Sequence, residues 1–142
     1  MIRKFALVFG IIYLLVGILG FIPGINDHSH ADMPPIAVDS FYGRLLGLFP
    51  VNLMHNVVHI AVGIWGILSS GSVSAARMFG KGLAILYGLL TIMGLVPGLN
   101  TLFGIAAIFG HDVWLHALSA IIAGYFGFVA REGDGAPRSD VV

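Results

Sequence analysis

The chain has 142 residues, of which 58% are hydrophobic and 10% are charged, and its mean hydropathy is +0.97. A soluble domain carries about 25% charged residues, so this composition predicts an integral membrane protein in contact with the lipid bilayer. Acidic and basic residues balance at seven each, which argues against nucleic acid as a partner. The absence of cysteine excludes disulfides, thiolate metal ligands and thiol nucleophiles.

Four apolar stretches are long enough to cross the hydrocarbon core as helices, which takes about 20 residues each. They predict an all-α, four-helix membrane bundle within a domain spanning residues 1–130, with spans at about 5–22, 45–68, 82–98 and 113–130. The first stretch lacks the small-residue cleavage site of a signal peptide, so it is interpreted as a span. Residues 131–142 have the composition of a disordered tail.

Basic residues predict the orientation of these spans. Six of the seven fall on one side, and only Arg44 falls on the other. The six are Arg3, Lys4, Arg77, Lys81, Arg131 and Arg138. Because basic residues concentrate in cytoplasmic segments, we expect both termini in the cytoplasm of a cell and the protein in its inner (plasma) membrane.

The first outer connection, "NDHSHADMPPIAVDSFYGR", is long and polar, and its adjacent prolines forbid a regular helix through it. His28 and His30, with Asp27 and Asp32, form a short cluster of nitrogen and oxygen donors that suits Zn²⁺ or Cu²⁺. A solvated polar loop explains the same residues, and we favour that interpretation over a metal site.

The second outer connection, "PGLNTLFGIAAIFGHD", is apolar and rich in glycine. We expect it to lie along the membrane interface or to dip back into the protein. At its end, Asp112 is predicted to cap the last helix at its N-terminus. Trp114 is predicted to anchor that helix at the interface.

An internal repeat is visible in the sequence. Residues 12–26 and 86–100 share seven of fifteen positions, including the Pro-Gly-x-Asn at their ends. The sequences of the second and fourth spans also align, and His55 aligns with His116. The repeat predicts two pseudo-symmetric helical hairpins related by an axis along the membrane normal, as in parallel repeats.

Each predicted span has one face of small and polar residues, since positions three and four apart share a face. Small residues let membrane helices approach closely, so these faces are predicted to meet in the centre of the bundle. There Tyr13, Asn52 and Tyr87 would form an interior polar cluster with the histidines. The faces comprise Gly10, Tyr13, Gly17 and Gly20; Asn52, His55, His59, Gly63 and Gly66; Ala84, Tyr87, Thr91 and Gly94; and Asp112, His116, Ser119, Ala120, Ala123 and Gly127.

Histidines inside a membrane are costly and are candidates for function. The simplest interpretation of His55, His59 and His116 is hydrogen bonding between helices, in a non-catalytic subunit that acts as a homo-oligomer or within a larger membrane complex. No nucleophile elbow, phosphate loop or HExxH motif indicates an enzyme.

Two further interpretations of the same histidines stay open. His55 and His116 could ligate haem or a pigment, with Gly63, Gly66, Gly124 and Gly127 making room for its flat ring. Alternatively, ions or protons could pass along His55, His59 and His116, although relays of that kind usually include an acidic residue within the spans. The sequence identifies no cofactor, and haem is not favoured.

The stretches "VNLMHNVVHIAVGIWGIL" and "LNTLFGIAAIFGHDVWLHALSAIIAGYFGF" carry a family resemblance. With their Asn-x-x-His, His-x-x-x-Gly-x-x-Gly and His-Asp-Val-Trp-Leu-His patterns, the chain resembles the bacterial four-span membrane family called domain of unknown function 4383, over roughly residues 3–130. The resemblance implies the four-span architecture but supplies no activity. The family-like positions are Asn52, His55, His59, Asp112, Trp114 and His116.

Overall fold

A computed structural model describes residues 1–28 and 32–131. The described chain is mostly helical and also contains three short strands. The helices are α1 (Ile2–Leu19), α2 (Leu53–Ser69), α3 (Val73–Leu95) and α4 (His111–Gly124), and a π-helical turn (Tyr125–Val129) continues α4. The strands are β1 (Asn26–Asp27), β2 (Gly43–Leu45) and β3 (Phe49–Val51).

Three of the helices are long and apolar enough to cross a membrane. They are α1, α3, and α4 taken together with its π-helical turn. The remaining helix, α2, is apolar but has only 17 residues. Large hydrophobic side chains such as Ile85, Leu89 and Ile121 are exposed on the outer faces of the helices, as contact with lipid requires.

The expectation of an all-α fold is wrong in the first outer connection. There β1, β2 and β3 form an antiparallel sheet in that order. The hairpin between β2 and β3 turns through Leu46 and Gly47, which both have positive φ angles. Since an α-helix cannot continue through this turn, α2 begins at Leu53 and not at residue 45.

The connection between α2 and α3 is shorter than predicted. Ser72 caps α3, because its hydroxyl accepts a hydrogen bond from the Ala75 N–H at 3.1 Å. The third helix therefore begins at Val73 and not at residue 82. As a consequence, Arg77 and Lys81 lie within α3 and not in a loop.

The helices pack chiefly in two pairs, α1 against α2 and α3 against α4. Glycines bring the backbones of the first pair into contact: a Cβ atom added at Gly10 would lie 2.5 Å from the Ile67 nitrogen, and one at Gly63 would lie 2.5 Å from the Leu14 nitrogen. The second pair closes at Gly127, where an added Cβ would lie 2.6 Å from the Lys81 nitrogen. This close packing is what small residues contribute in membranes.

An apolar core fills the end of the helices nearest the first residue of the chain. Phe5 stacks on Phe126 with ring centroids 4.5 Å apart, and Phe79 packs beside them. Further along the helices, Tyr13 stacks on Tyr87 at 5.2 Å. Beyond this pair of tyrosines, the buried residues become polar.

Candidate metal centre

Three histidines meet in the interior between α2 and α4. His55 and His59 lie one turn apart on the buried face of α2, and His116 lies on α4. Their side chains are 4%, 4% and 2% exposed, respectively. One ring nitrogen from each lies within 4.8 Å of the other two, which is close enough for the three residues to share one ligand.

Asp112 joins these histidines, although the sequence predicted a different role for it. Its Oδ2 atom lies 3.6 Å from His55 Nε2 and 3.5 Å from His116 Nε2. The prediction that Asp112 caps α4 is wrong, because Gly110 occupies the N-cap position and makes no side-chain cap. The i, i+4 spacing of Asp112 and His116 was the available signal that both face inward.

The second outer connection folds back onto this cluster and orients His55. The Ala107 carbonyl lies 2.7 Å from His55 Nδ1, and Ala107 is fully buried. Since a carbonyl oxygen only accepts hydrogen bonds, Nδ1 carries the proton and Nε2 presents its lone pair to the cluster. Metal-binding histidines are usually held in this way by a backbone carbonyl or a carboxylate.

Several buried polar atoms of the cluster have no hydrogen-bond partner among the described residues. They are Nδ1 of His59, both ring nitrogens of His116 and Oδ2 of Asp112. Buried polar groups are almost always hydrogen-bonded. His55 bonds to a carbonyl of the second outer connection and to His59 of its own helix, and His116 has no hydrogen-bond partner among the described residues. Neither residue therefore makes the hydrogen bond between helices that is the simplest interpretation of the histidines.

The distances within the cluster suit a tetrahedral metal ion. At metal–ligand distances of about 2.0–2.1 Å, two ligand atoms on such an ion lie about 3.3–3.4 Å apart. His55 Nε2 lies 3.2 Å from His59 Nε2, and the two distances to Asp112 are 3.5 and 3.6 Å. The three histidine nitrogens lie within 4.8 Å of one another, so their side chains would have to rotate to bring all four atoms onto one ion.

The residues predicted to form an interior polar cluster are buried, but they have different surroundings. The Tyr87 ring lies 4.8 Å from the His116 ring, and the Tyr13 ring lies 5.3 Å from the His59 ring. The Asn52 side chain instead hydrogen-bonds to backbone groups of three different segments. Its Oδ1 accepts from the His55 N–H, and its Nδ2 donates to the carbonyls of Val38 and Ile105.

The space expected for a flat haem or pigment ring is occupied by protein. An added Cβ at Gly63, Gly66 or Gly127 would lie within 2.7 Å of a backbone atom of a neighbouring helix. Of the four glycines, only Gly124 has no atom closer than ordinary contact, with the Ala84 Cβ at 3.7 Å. The interpretation of these glycines as a slot for a ring is therefore wrong, because they serve helix packing.

Two residues of the predicted exterior metal site, Asp32 and His28, have other partners. Arg44 donates to both carboxylate oxygens of Asp32 at 3.0 Å, and this hydrogen bonding lowers the pKa of Asp32. His28 Nδ1 lies 3.3 Å from the Tyr42 carbonyl. His30 lies outside the described residues, as does the predicted tail beyond residue 131.

One buried polar residue, Asn56, was missed by the sequence analysis. Its side chain packs against Gly20, just after α1, and neither of its polar side-chain atoms has a hydrogen-bond partner in the part of the chain that the structure describes. Asn56 lies three residues before His59 and seven before Gly63. The spacing rule that gathered the other residues of that face could therefore have included it.

Residues 3–129 match the model of a protein family described as a domain of unknown function (DUF4383). The chain belongs to that family, which confirms the domain of unknown function named from its sequence. The match covers the four helices, the sheet and every residue of the histidine cluster. No curated protein and no solved structure matches the chain.

Proposed function

We propose that this protein is a membrane-embedded metal-binding protein. His55, His59, His116 and Asp112 hold one divalent transition-metal ion between α2 and α4. The observation that carries the proposal is the clustering of three buried histidine nitrogens within 4.8 Å of one another, with the Asp112 carboxylate 3.6 and 3.5 Å from two of them.

The donor set narrows the choice of metal. Three imidazoles and one carboxylate suit Zn²⁺, Fe²⁺ or Mn²⁺, whereas thiolate-seeking ions find no thiol in this chain. A bound cation would also offset the cost of burying Asp112 in its ionised form. Among the described residues, only His55 and His116 lie within ion-pair distance of Asp112.

We also propose that all four helices cross the membrane, with both termini in the cytoplasm of the cell and the protein in its plasma membrane. Helix α2 packs along α1, so it lies at the same depth although it is short. The bias of basic residues toward the chain ends and the start of α3 supports this orientation. In this arrangement the metal lies near the outer surface, below the second outer connection.

The proposed internal repeat has support in the two turns that follow α1 and α3. Gly24 and Gly98 have φ angles of 87° and 88°. Two residues beyond each glycine, the N–H of Asn26 donates to Ile22 and that of Asn100 donates to Val96, both at 3.1 Å. Two identical turns at equivalent positions are what two related hairpins would retain.

Within this framework the protein is a non-catalytic subunit whose metal is a fixed structural or binding centre. It works as a homo-oligomer or within a larger membrane complex. The exposed apolar faces of its helices are available for such contacts as well as for lipid. Passage of ions has no specific support, since the four donor atoms converge on one point and do not form a row.

Metal content tests this proposal directly. The full chain, carrying an affinity tag without histidine, is purified in mild detergent and analysed by elemental mass spectrometry before and after incubation with Zn²⁺, Fe²⁺ or Mn²⁺. We expect about one ion per chain, as a single four-donor centre allows. Asp112→Asn and His116→Ala should each lose at least 90% of the ion, about a tenfold loss of occupancy.

The matched control is His111→Ala, which removes an exposed histidine one residue away from Asp112. It should retain the metal. A folded wild-type protein that binds none of these ions would overturn the proposal. A haem absorption band that disappears in His55→Ala would replace it with the haem interpretation.

A further inference from the structure

A cavity of about 150 Å³ lies directly beside the histidine cluster. It is bounded by α2, α3, α4 and the second outer connection. Most of its wall is apolar, and four polar residues line it together. The apolar residues are Val58, Leu86, Leu90, Leu102, Ala106 and Ile108, and the polar residues are His55, His59, Tyr87 and His116.

We infer that this cavity binds a lipid-soluble molecule with one six-membered ring that carries an oxygen atom, as in a phenol or a quinone. The size of the cavity supports one ring, because an apolar cavity of about 150 Å³ holds a single benzene molecule. The apolar wall supports a ligand that arrives from lipid and not from water. Almost all of the surface that faces the cavity is apolar, so a ring oxygen would meet the histidine nitrogens after those side chains rotate toward it.

Unsatisfied polar atoms define what the ligand must offer. Nδ1 of His59 and the ring nitrogens of His116 are buried and have no hydrogen-bond partner within residues 1–28 and 32–131. A purely apolar ligand would leave these groups unpaired, which is costly. An oxygen at the inner end of the ring would accept hydrogen bonds from them.

If the proposed metal centre is correct, it also determines which histidine nitrogens carry a proton and can donate to the ligand. This part of the inference rests on the proposed function. When Nε2 of a histidine binds a metal, its proton lies on Nδ1. His55 already donates from Nδ1 to the Ala107 carbonyl. His59 and His116 would then each present a donor that lacks an acceptor in the described chain, so the ligand oxygen should be an acceptor.

The cavity reaches the outer face of the helices. Val58, on its wall, is 41% exposed, and Leu86 and Leu90 are partly exposed. On the same helix as these leucines, Ile85 and Leu89 are 60% and 56% exposed, as expected of a lipid-facing surface. A ligand could therefore enter sideways from the bilayer between α2 and α3.

Ligand binding by ¹⁹F NMR tests this inference with small probes. 4-Fluorophenol and fluorobenzene are titrated into the detergent-purified, metal-analysed protein, and the signal of each probe in protein-free micelles is subtracted. We expect saturable binding of 4-fluorophenol, with fluorobenzene at least tenfold weaker because it offers no oxygen. Competition by 1,4-benzoquinone then shows whether a quinone ring is accepted as well as a phenol.

Two substitutions locate the site. Val58→Phe places a ring on the cavity wall and should weaken 4-fluorophenol binding at least tenfold while the metal content stays unchanged. The matched control, Leu118→Phe, places the same ring in the separate cleft between α1 and α4, and should leave binding unchanged. Equal affinities for wild type and Val58→Phe, or no saturable binding, would overturn the inference.

The two proposals fail in distinguishable ways. If the protein contains no metal but binds 4-fluorophenol in a manner sensitive to Val58→Phe, the cavity is a ligand site and the metal centre is wrong. If it contains the metal but binds neither probe, the metal centre stands and the ligand site is wrong. Asp112→Asn, which removes a metal ligand that does not line the cavity, should retain fluorobenzene binding.

Discussion

Both ends of this helical protein contain buried residues, but they differ in how tightly those residues are packed and in whether their polar atoms are hydrogen-bonded. At the apolar end, formed by Phe5, Ala76, Phe79 and their neighbours, side chains and helix backbones fill the space. At the polar end, formed by His55, His59, Asp112 and His116, several atoms have no hydrogen-bond partner among the described residues, and a cavity adjoins them. The apolar end supplies stability, whereas the polar end is organised to bind.

The largest effect should come from disturbing the close packing of α1 on α2. In Gly10→Ala, the new Cβ would meet backbone atoms of α2 at 2.5–2.8 Å, which a rigid backbone cannot relieve. We expect a loss of about 3 kcal/mol or more in the free energy of unfolding, measured by thermal or SDS-induced unfolding in detergent.

Gly88→Ala is the control for this substitution. Gly88 lies within α3, and an added Cβ there meets nothing within 4 Å. Alanine should stabilise the helix by about 0.5–1 kcal/mol. Equal losses in the two variants would show that glycine serves flexibility and not close packing at the α1–α2 contact.

Metal removal should have the next largest effect on stability. The effect should depend only on the metal ligands at the polar end. A ligand present at 100 times its Kd stabilises the folded state by about 2.7 kcal/mol. The metal-loaded protein should therefore melt at a higher temperature than the chelator-treated protein. Asp112→Asn should abolish that difference, and a difference that persists in this variant would place the ion elsewhere.

Substitutions at two helix caps distinguish the stability that comes from capping a helix from the stability that comes from contacts between distant segments. Ser72→Ala removes one hydrogen bond at the start of α3 and should cost about 1 kcal/mol. Asn52→Ala removes the α2 cap and also two bonds to the carbonyls of Val38 and Ile105. It should cost about 2–3 kcal/mol, measured by unfolding in detergent, and equal costs would contradict the bridging role of Asn52.

The smallest effect should come from the exposed ion pair of Asp32 and Arg44. Hydrogen bonding to Arg44 lowers the pKa of Asp32 below its ordinary value of 3.8. The contribution of the pair is therefore present at neutral pH and is lost as the pH falls through the lowered pKa of the folded protein.

Asp32→Asn tests that pH dependence. It should remove a small acid-sensitive part of the stability and leave the melting temperature at pH 7 almost unchanged. The measurement is the melting temperature of both proteins between pH 2 and pH 7. A large change at pH 7 would show that the outer connection contributes more to stability than an exposed ion pair can.

Much of this architecture follows from the sequence alone. The composition predicts helices apolar enough to cross a membrane, and three of them are. Helical spacing determines which face is buried, and His55, His59, His116 and Tyr87 all lie on the faces that it selects. Both inferences depend only on neighbouring residues.

Other features depend on contacts between segments that are distant in the sequence, and only the tertiary structure shows them. Residues 43–51 contain as many apolar residues as part of a membrane span would. Only their pairing in a sheet identifies them as strands. The role of the Ala107 carbonyl likewise depends on how the second outer connection folds over the helices. Spacing along one helix places a side chain on a face, but the atoms opposite that face come from elsewhere in the chain.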